Sequence, residues 1–393
     1  MPQCSPTKWH RAHTTWFFET FVLGSQGIGP LDPRYSQLFN SYYVAIGPRH
    51  AQARRGLLSR PSVAEIAEYR QIVDERMLEL LERVDERTLG SLAPLIALGL
   101  AHEQQHQELL LTDILHALHE NPLAPFYRSG SLPFPELERT PEGTSKSMRF
   151  VRHEGGLADI GLGPSPGFRF DNEEPRHKIW LQPFALSDRL VTVGEWKAFA
   201  RAGGYETPSL WLSEGFDWVT ANGVSAPLYA KKEGDALLVF GLDGLREAQD
   251  SEPVTHVSYY EADALARFLE ARLPTEAEWE AFASKASLEG NFLEDGALRA
   301  LPARPPRSEV GVSQLFGDAW EWTCSSYSPY PGYCPSAGAV GEYNGKFMVN
   351  QLVLRGGSCF TPQGHVRPSY RNFWHPFTRF QVMGVRLARS WKG

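Results

Sequence analysis

The sequence predicts a two-domain protein of the α+β class, a helical bundle followed by an irregular mixed domain. Three observations point there. The chain has 393 residues, more than one ordinary core accommodates. Up to about residue 120, apolar residues recur at helical spacing. From about residue 149, Gly, Trp and Tyr become dense and strand-like runs become short, which suits a loop-rich α+β domain.

The elements follow in chain order. A first helix is expected from Ser5 to about Leu23, and a shorter one near Tyr35–Ala45. Ser62-Val-Ala-Glu65 has the form of a capping box, and Ile66, Tyr69, Val73, Met77, Leu80, Leu81 and Val84 continue it at helical spacing. The next helix runs from Leu89 or Leu92 to His119 and is ended by Asn121-Pro122, because proline cannot continue it. Long helices with modest connections make an up-down bundle over residues 1–128. Residues 129–148 mix Pro, Gly, Ser and charge with little periodicity and read as a linker. In residues 149–393, strands are expected within FVRHEGGLADIG, HKIWLQPFALS, QLVLRGGS and VMGVRLARS, with helices in VTVGEWKAFARAGG and YYEADALARFLEARL.

Composition excludes several function classes. Hydrophobic content of 42% with 22% charged residues is that of a folded globular chain. The net charge of −7 comes with no basic tract, which argues against a nucleic-acid partner. No apolar run approaches the roughly 18 residues of a membrane span, and the N-terminal stretch lacks the apolar core of a signal peptide. Four cysteines (Cys4, Cys324, Cys334, Cys359) are not spaced as a metal quartet. Reduced thiols in a cytoplasmic protein are the expectation.

The helix LAHEQQHQELLLTDILHALHE carries His102 and His106 four apart, with Gln105 on a neighbouring line. At 100° per residue the two imidazoles lie on one side, one turn apart, as in sites where two histidines share a metal. The same face continues to Leu95, Leu98, Leu109 and Asp113, so it points into the bundle. Unpaired imidazoles there are costly unless something satisfies them. The bland alternative is a pair of satisfied core or surface histidines. A third ligand would come from KWHRAHTTWFFE, which offers His10 and His13; His13 stands among Trp9, Thr14, Trp16, Phe17 and Phe18. Three neutral imidazoles with open positions suit zinc or iron(II), and spacing alone does not choose between them.

The stretches SPTKWHRAHTTWFFETF, LFNSYY, GPRHAQARRGLLSRPS and HEQQHQELLLTDILH resemble the N-terminal DinB-type four-helix bundle of the ergothioneine-synthesis sulfoxide synthases. FDNEEPRHKIWLQPFALSDRLVT, HVSYYEADA, RLPTEAEWE, LFGDAWEWT, GEYNGKF, LRGGS and RPSYRNF resemble their C-terminal domain, which is similar to formylglycine-generating enzymes and has a C-type-lectin-like fold. The resemblance implies one non-heme iron(II) held by three histidines. It also implies dioxygen-driven coupling of a sulfur donor to C2 of the imidazole of hercynine, trimethylhistidine. On the matching positions the ligands are His13, His102 and His106. Gln105 would hydrogen-bond the hercynine imidazole, and Tyr42 or Tyr43 would donate a proton or hydrogen atom. Asn372 and Phe373 would cover the hercynine. A donor bearing a carboxylate would want an arginine fork, for which Arg54, Arg55 and Arg379 are candidates.

The chain departs from the family pattern in its expected donor pocket. Trp374, His375 and Phe377-Thr378 replace Phe, Pro and Asp-Ala; Val349 replaces a cysteine; and a PLYW motif ends in Tyr229-Ala230. These changes are similar to those of the selenoneine synthase branch, which couples a selenosugar to hercynine through a C–Se bond. A sugar favours stacking on side chains such as Trp374 over an acid–arginine cage. That branch is the expectation, with a sulfoxide synthase using cysteine or γ-glutamylcysteine as the alternative. Three rivals are weaker. A copper-dependent formylglycine generator would need a cysteine pair near RPSYRN, where this chain has none. A zinc hydrolase and a non-catalytic binding module are the others.

Overall fold

The computed structural model describes residues 4–128, 147–163, 167–306, 310–336 and 339–391. The expected linker, residues 129–148, falls almost wholly outside the described residues. The chain forms two compact units, and neither is a single stretch of sequence. The first comprises residues 1–117, 164–172 and 333–346; the second comprises residues 118–163, 173–332 and 347–393. The boundary read from composition therefore misses two short segments, which lie far along the chain yet fold into the helical unit.

In the first unit, α1 (Thr7–Phe17) runs on as a π-helical stretch, Phe18–Leu23. α2 (Arg34–Phe39) is short, so the four-helix bundle expected from sequence has three long members. α3 (Val63–Arg83) starts at the expected capping box: Ser62 Oγ accepts from the Glu65 amide at 3.2 Å, and Glu65 Oε2 accepts from the Ser62 amide at 2.7 Å. α4 (Glu86–His119) begins three to six residues before its first expected position. Asp85 explains the difference, since its carboxylate accepts from the Thr88 amide at 2.8 Å and caps the helix. Pro94 lies inside α4 without ending it. At Gly99 a Cβ would stand 2.7 Å from the Phe18 ring, so glycine is what lets α4 approach the π-helical stretch this closely.

The second unit is built from small sheets and short helices. Phe184–Ser187 pairs antiparallel with both Phe150–His153 and Ala388–Ser390, joining the ends of the domain. A four-stranded sheet runs in the order Asn372–Trp374, Leu352–Arg355, Trp320–Ser326, Met383–Gly384, its last pair parallel. A ribbon pairs Gly156–Ile160 with His177–Leu181, and a meander runs through Ala230–Glu233, Ala236–Gly241 and Gly244–Glu247. The expected helices appear as Val193–Arg201 and Tyr259–Phe268. Ser213–Ala221 and Glu276–Ala283 join them, together with the Trp320–Ser326 strand and the meander, none of which periodicity indicated. Trp279, Trp320 and Trp322 fill the core, and Glu321 and Arg386 pair at 2.6 Å with both side chains fully buried. No helix among the described residues is long and apolar enough to cross a membrane.

Two buried histidines of this unit make stability depend on pH. Burial pushes the His256 imidazole down to about 4 and that of His365 down to about 3. The unfolded chain takes up protons at these sites below about pH 6.5, while the folded chain does not. Stability is therefore lost as pH falls from about 6.5 toward 4. His256 has φ +59° and its Nδ1 meets the Arg379 carbonyl at 3.3 Å; asparagine tolerates that backbone and can donate the same bond. His256→Asn should lose its share of the pH dependence, on the order of 3 kcal/mol by pH 4, as read from melting temperatures of both proteins between pH 7 and 4.

Candidate metal centre

The centre lies in the first unit, where α1 and α4 face each other. Heptad-like burial on α4 places His102 inward at 2% exposure, and α1 places His13 inward at 0%. Nitrogens of His13, His102 and His106 all lie within 4.8 Å of one another. Trp9 stacks on His13 at 4.8 Å, and Phe17 lies 5.0 Å from His102, so the imidazoles sit in an aromatic box.

Hydrogen bonds decide which nitrogen faces the centre. His13 Nδ1 meets the Phe39 carbonyl at 2.5 Å, which fixes its proton there and leaves the Nε2 lone pair free. That Nε2 faces His102 Nε2 at 3.1 Å. Asp113 Oδ2 lies 2.9 Å from His10 Nε2, and His10 Nδ1 lies 2.8 Å from His106 Nδ1. With its Nε2 proton given to Asp113, His10 accepts from His106 Nδ1–H, and the His106 lone pair remains on Nε2. Asp113 is itself held by the Ser5 amide at 2.7 Å. His10, which the sequence offered as a rival ligand to His13, is thus the link between a carboxylate and His106. Carboxylate–histidine pairs of this kind orient ligands in metal sites.

Burial lowers the pKa of all three imidazoles, and His102 falls to about 3. They are neutral at neutral pH. The donor set fits a metal ion on its own chemistry: nitrogens of three neutral imidazoles converge, with no carboxylate among the three. The arrangement suits a first-row divalent metal that keeps open positions.

Three further expected residues gather here. Gln105 Oε1 accepts from the Tyr343 hydroxyl, whose ring lies 5.6 Å from that of His102. The Tyr42 and Tyr43 rings lie tilted against each other at 4.5 Å with their hydroxyls 3.4 Å apart, and Tyr42 meets Tyr343 edge-on at 5.8 Å. Burial raises both phenol pKa values, and the neighbouring hydroxyls raise that of Tyr42 further. Asn40 fixes the loop, giving Nδ2 to the Tyr43 carbonyl at 2.8 Å and accepting the Tyr43 amide at 3.0 Å. Arg55 is buried above the Trp9 ring at 3.5 Å, with its terminal nitrogens on Ser5 and Ser41 hydroxyls. Desolvation brings it down to about 10. Arg54 is exposed.

The remaining expected residues belong to the second unit. Asn372 Nδ2 and Trp374 Nε1 both donate to Gln381 Oε1, at 3.0 and 2.7 Å. Phe373 stacks on Tyr327 at 4.0 Å. Arg379 donates to the Ala226 carbonyl at 3.0 Å and lies 3.7 Å from Glu261. Sequence reasoning passed over Tyr343 and Phe170, which stack at 5.5 Å in the first unit. The signal was present, because both stand in motifs already singled out, GEYNGKF and FDNEE.

Replacing His13, His102 or His106 by Ala should abolish binding of a divalent metal. Asp113→Asn should keep all three ligands yet weaken the affinity by about 10- to 100-fold, as measured by competition with a chromophoric chelator.

Comparison with known proteins gives two concordant results. Residues 133–391 match the sulfatase-modifying factor enzyme 1-like domain. The hercynine oxygenase of Mycolicibacterium smegmatis is 31% identical over 98% of this chain and 91% of its own length. That of Mycobacterium tuberculosis is 32% identical over 98% and 91%. The formylglycine-generating enzyme of Streptomyces coelicolor is 29% identical, but over only 58% of this chain and 83% of its own. The hercynine oxygenase matches span the helical unit with its histidines as well as the C-terminal domain, and the chain belongs to the hercynine oxygenase family.

Proposed function

We propose that the protein is a non-heme iron(II), dioxygen-dependent enzyme that joins a chalcogen atom to C2 of the hercynine imidazole. The observation that carries this reading is the convergence of His13, His102 and His106 beside a Gln105 that Tyr343 holds. Iron(II), when bound, would supply redox chemistry with dioxygen and vacant positions for a soft donor.

The chain's own residues do the rest. The three imidazoles hold the metal as neutral ligands, and the Asp113–His10 pair keeps His106 turned toward it. Because Gln105 Oε1 accepts from Tyr343, the amide nitrogen is the end that donates to a ring nitrogen of the substrate, which would orient C2. Tyr42 and Tyr43 stay protonated and can each give up a proton during the reaction. The faces of Phe170 and Tyr343 suit a trimethylammonium group.

For the donor we propose a thiol, cysteine or γ-glutamylcysteine, coupled through a C–S bond to give a sulfoxide; the near full-length kinship supports it. One observation favours a second reading, a selenosugar coupled through a C–Se bond. Two of the three candidate carboxylate forks, Arg55 and Arg379, are engaged within the protein, while Trp374 and Phe377 add aromatic surface to that segment.

The test supplies iron(II)-loaded protein with hercynine, air and one donor at a time, and reads product masses. A hercynine–thiol sulfoxide is expected. A C–Se product from the selenosugar alone would establish the second reading. Hercynine left unconsumed with every donor would overturn the function. Tyr42→Phe or Tyr43→Phe should shift products from coupling toward oxidation of the donor by itself, measured as the ratio of the two by mass spectrometry.

A further inference from the structure

The loop that carries Tyr42 and Tyr43 has little apolar anchorage on its far side. Val44 is 62% exposed and Ala45 is also exposed. What meets it there is a pair of charges from residues 339–346. Glu342, at the end of the 3-10 turn Ala339–Glu342, accepts the Val44 amide on Oε2 at 3.0 Å and the Ala45 amide on Oε1 at 2.9 Å. Lys346 lies one turn further on, 2.9 Å from Glu342 Oε2, and donates to the Tyr42 carbonyl. Three backbone groups within four residues are thereby held by one ion pair. Between the two charges stands Tyr343, which bonds Gln105. The segment is itself pinned, since Asp171 accepts from Asn344 Nδ2 at 2.6 Å and from the Tyr333 hydroxyl at 3.0 Å.

We propose that Glu342 and Lys346 are positioning residues that clasp the tyrosine loop and fix Tyr42 and Tyr43 relative to Gln105. Hydrogen bonds from successive amides to a carboxylate are charge-assisted and hold a short loop without apolar burial. Two further facts support the role. Lys346 and the two amides hold the Glu342 carboxyl down at about 2, so the clasp stays charged at any working pH. Glu342 and Lys346 also belong to the motif GEYNGKF, whose charged residues the metal site does not use.

The inference about tyrosine chemistry rests on the proposed function; the clasp itself does not. The experiment therefore has two readouts on the full chain. Hydrogen–deuterium exchange of peptides covering residues 40–47 reports the clasp directly. Glu342→Ala should speed exchange at Val44 and Ala45 by about tenfold or more, and Lys346→Met should do so to a lesser degree, with affinity for added Co(II) unchanged in both. In the iron(II)-loaded protein, Glu342→Ala should lower the ratio of coupled product to oxidised donor with little change in KM for hercynine, and Glu342→Gln should fall between it and the parent. Unchanged exchange in both Glu342→Ala and Lys346→Met overturns the clasp whatever the activity. Faster exchange with an unaltered product ratio overturns the positioning role. If the parent protein consumes no hercynine, the function fails while the exchange result still decides the clasp.

Discussion

Desolvation of three imidazoles is the constraint around which the helical unit is arranged. A buried neutral imidazole has one donor and one acceptor nitrogen, and each needs an occupant. The Phe39 carbonyl takes the proton of His13, and the Asp113–His10 pair takes that of His106. The acceptor nitrogens are then left pointing at a common space. Burial among aromatic side chains lowers their basicity, so the lone pairs are available across the neutral range. α1, the end of α2 and α4 each contribute to this one arrangement, which is why the bundle needs all of them.

Much of this was legible in the sequence, and the reason is periodicity. Capping at Ser62, the stop at Asn121-Pro122 and the one-turn spacing of His102 and His106 are local facts with local consequences. The ligand set carried over from the family pattern comes together at the candidate site. What could not be read is non-local. Nothing in the spacing of KWHRAH says that His10 turns to a carboxylate 103 residues away while His13 turns inward. The short strands of the second unit alternate weakly, so the meander through residues 230–247 left no clear signal. Arg379 looked like a free fork by position, yet its environment, the Ala226 carbonyl and Glu261, is assembled from three separate stretches.

The two units differ in how they tolerate polar groups inside. The second buries full ion pairs, Glu321 with Arg386 and Arg355 with Glu276 and Glu280, each carrying hydrogen bonds on nearly every polar atom. Such pairs lock a loop-rich domain into one packing at some cost in desolvation. The first unit buries fewer full ion pairs: its three clustered imidazoles are neutral, with the Asp113 carboxylate on His10 and the Arg55 guanidinium buried close by. A buried carboxylate near such a cluster favours a divalent cation, and a fixed positive charge opposes one.

The interleaving of distant segments in the helical unit also sets an order of events during synthesis. α1 and α4 emerge early, so the histidine cluster can close while most of the chain is still unmade. Tyr343 follows Gln105 by 238 positions, a delay of roughly 10 to 50 s at usual translation speeds. A nascent chain that captured its metal in that interval would hold a reactive centre whose tyrosine loop is not yet secured, which gives the cell a reason to load the ion after release from the ribosome.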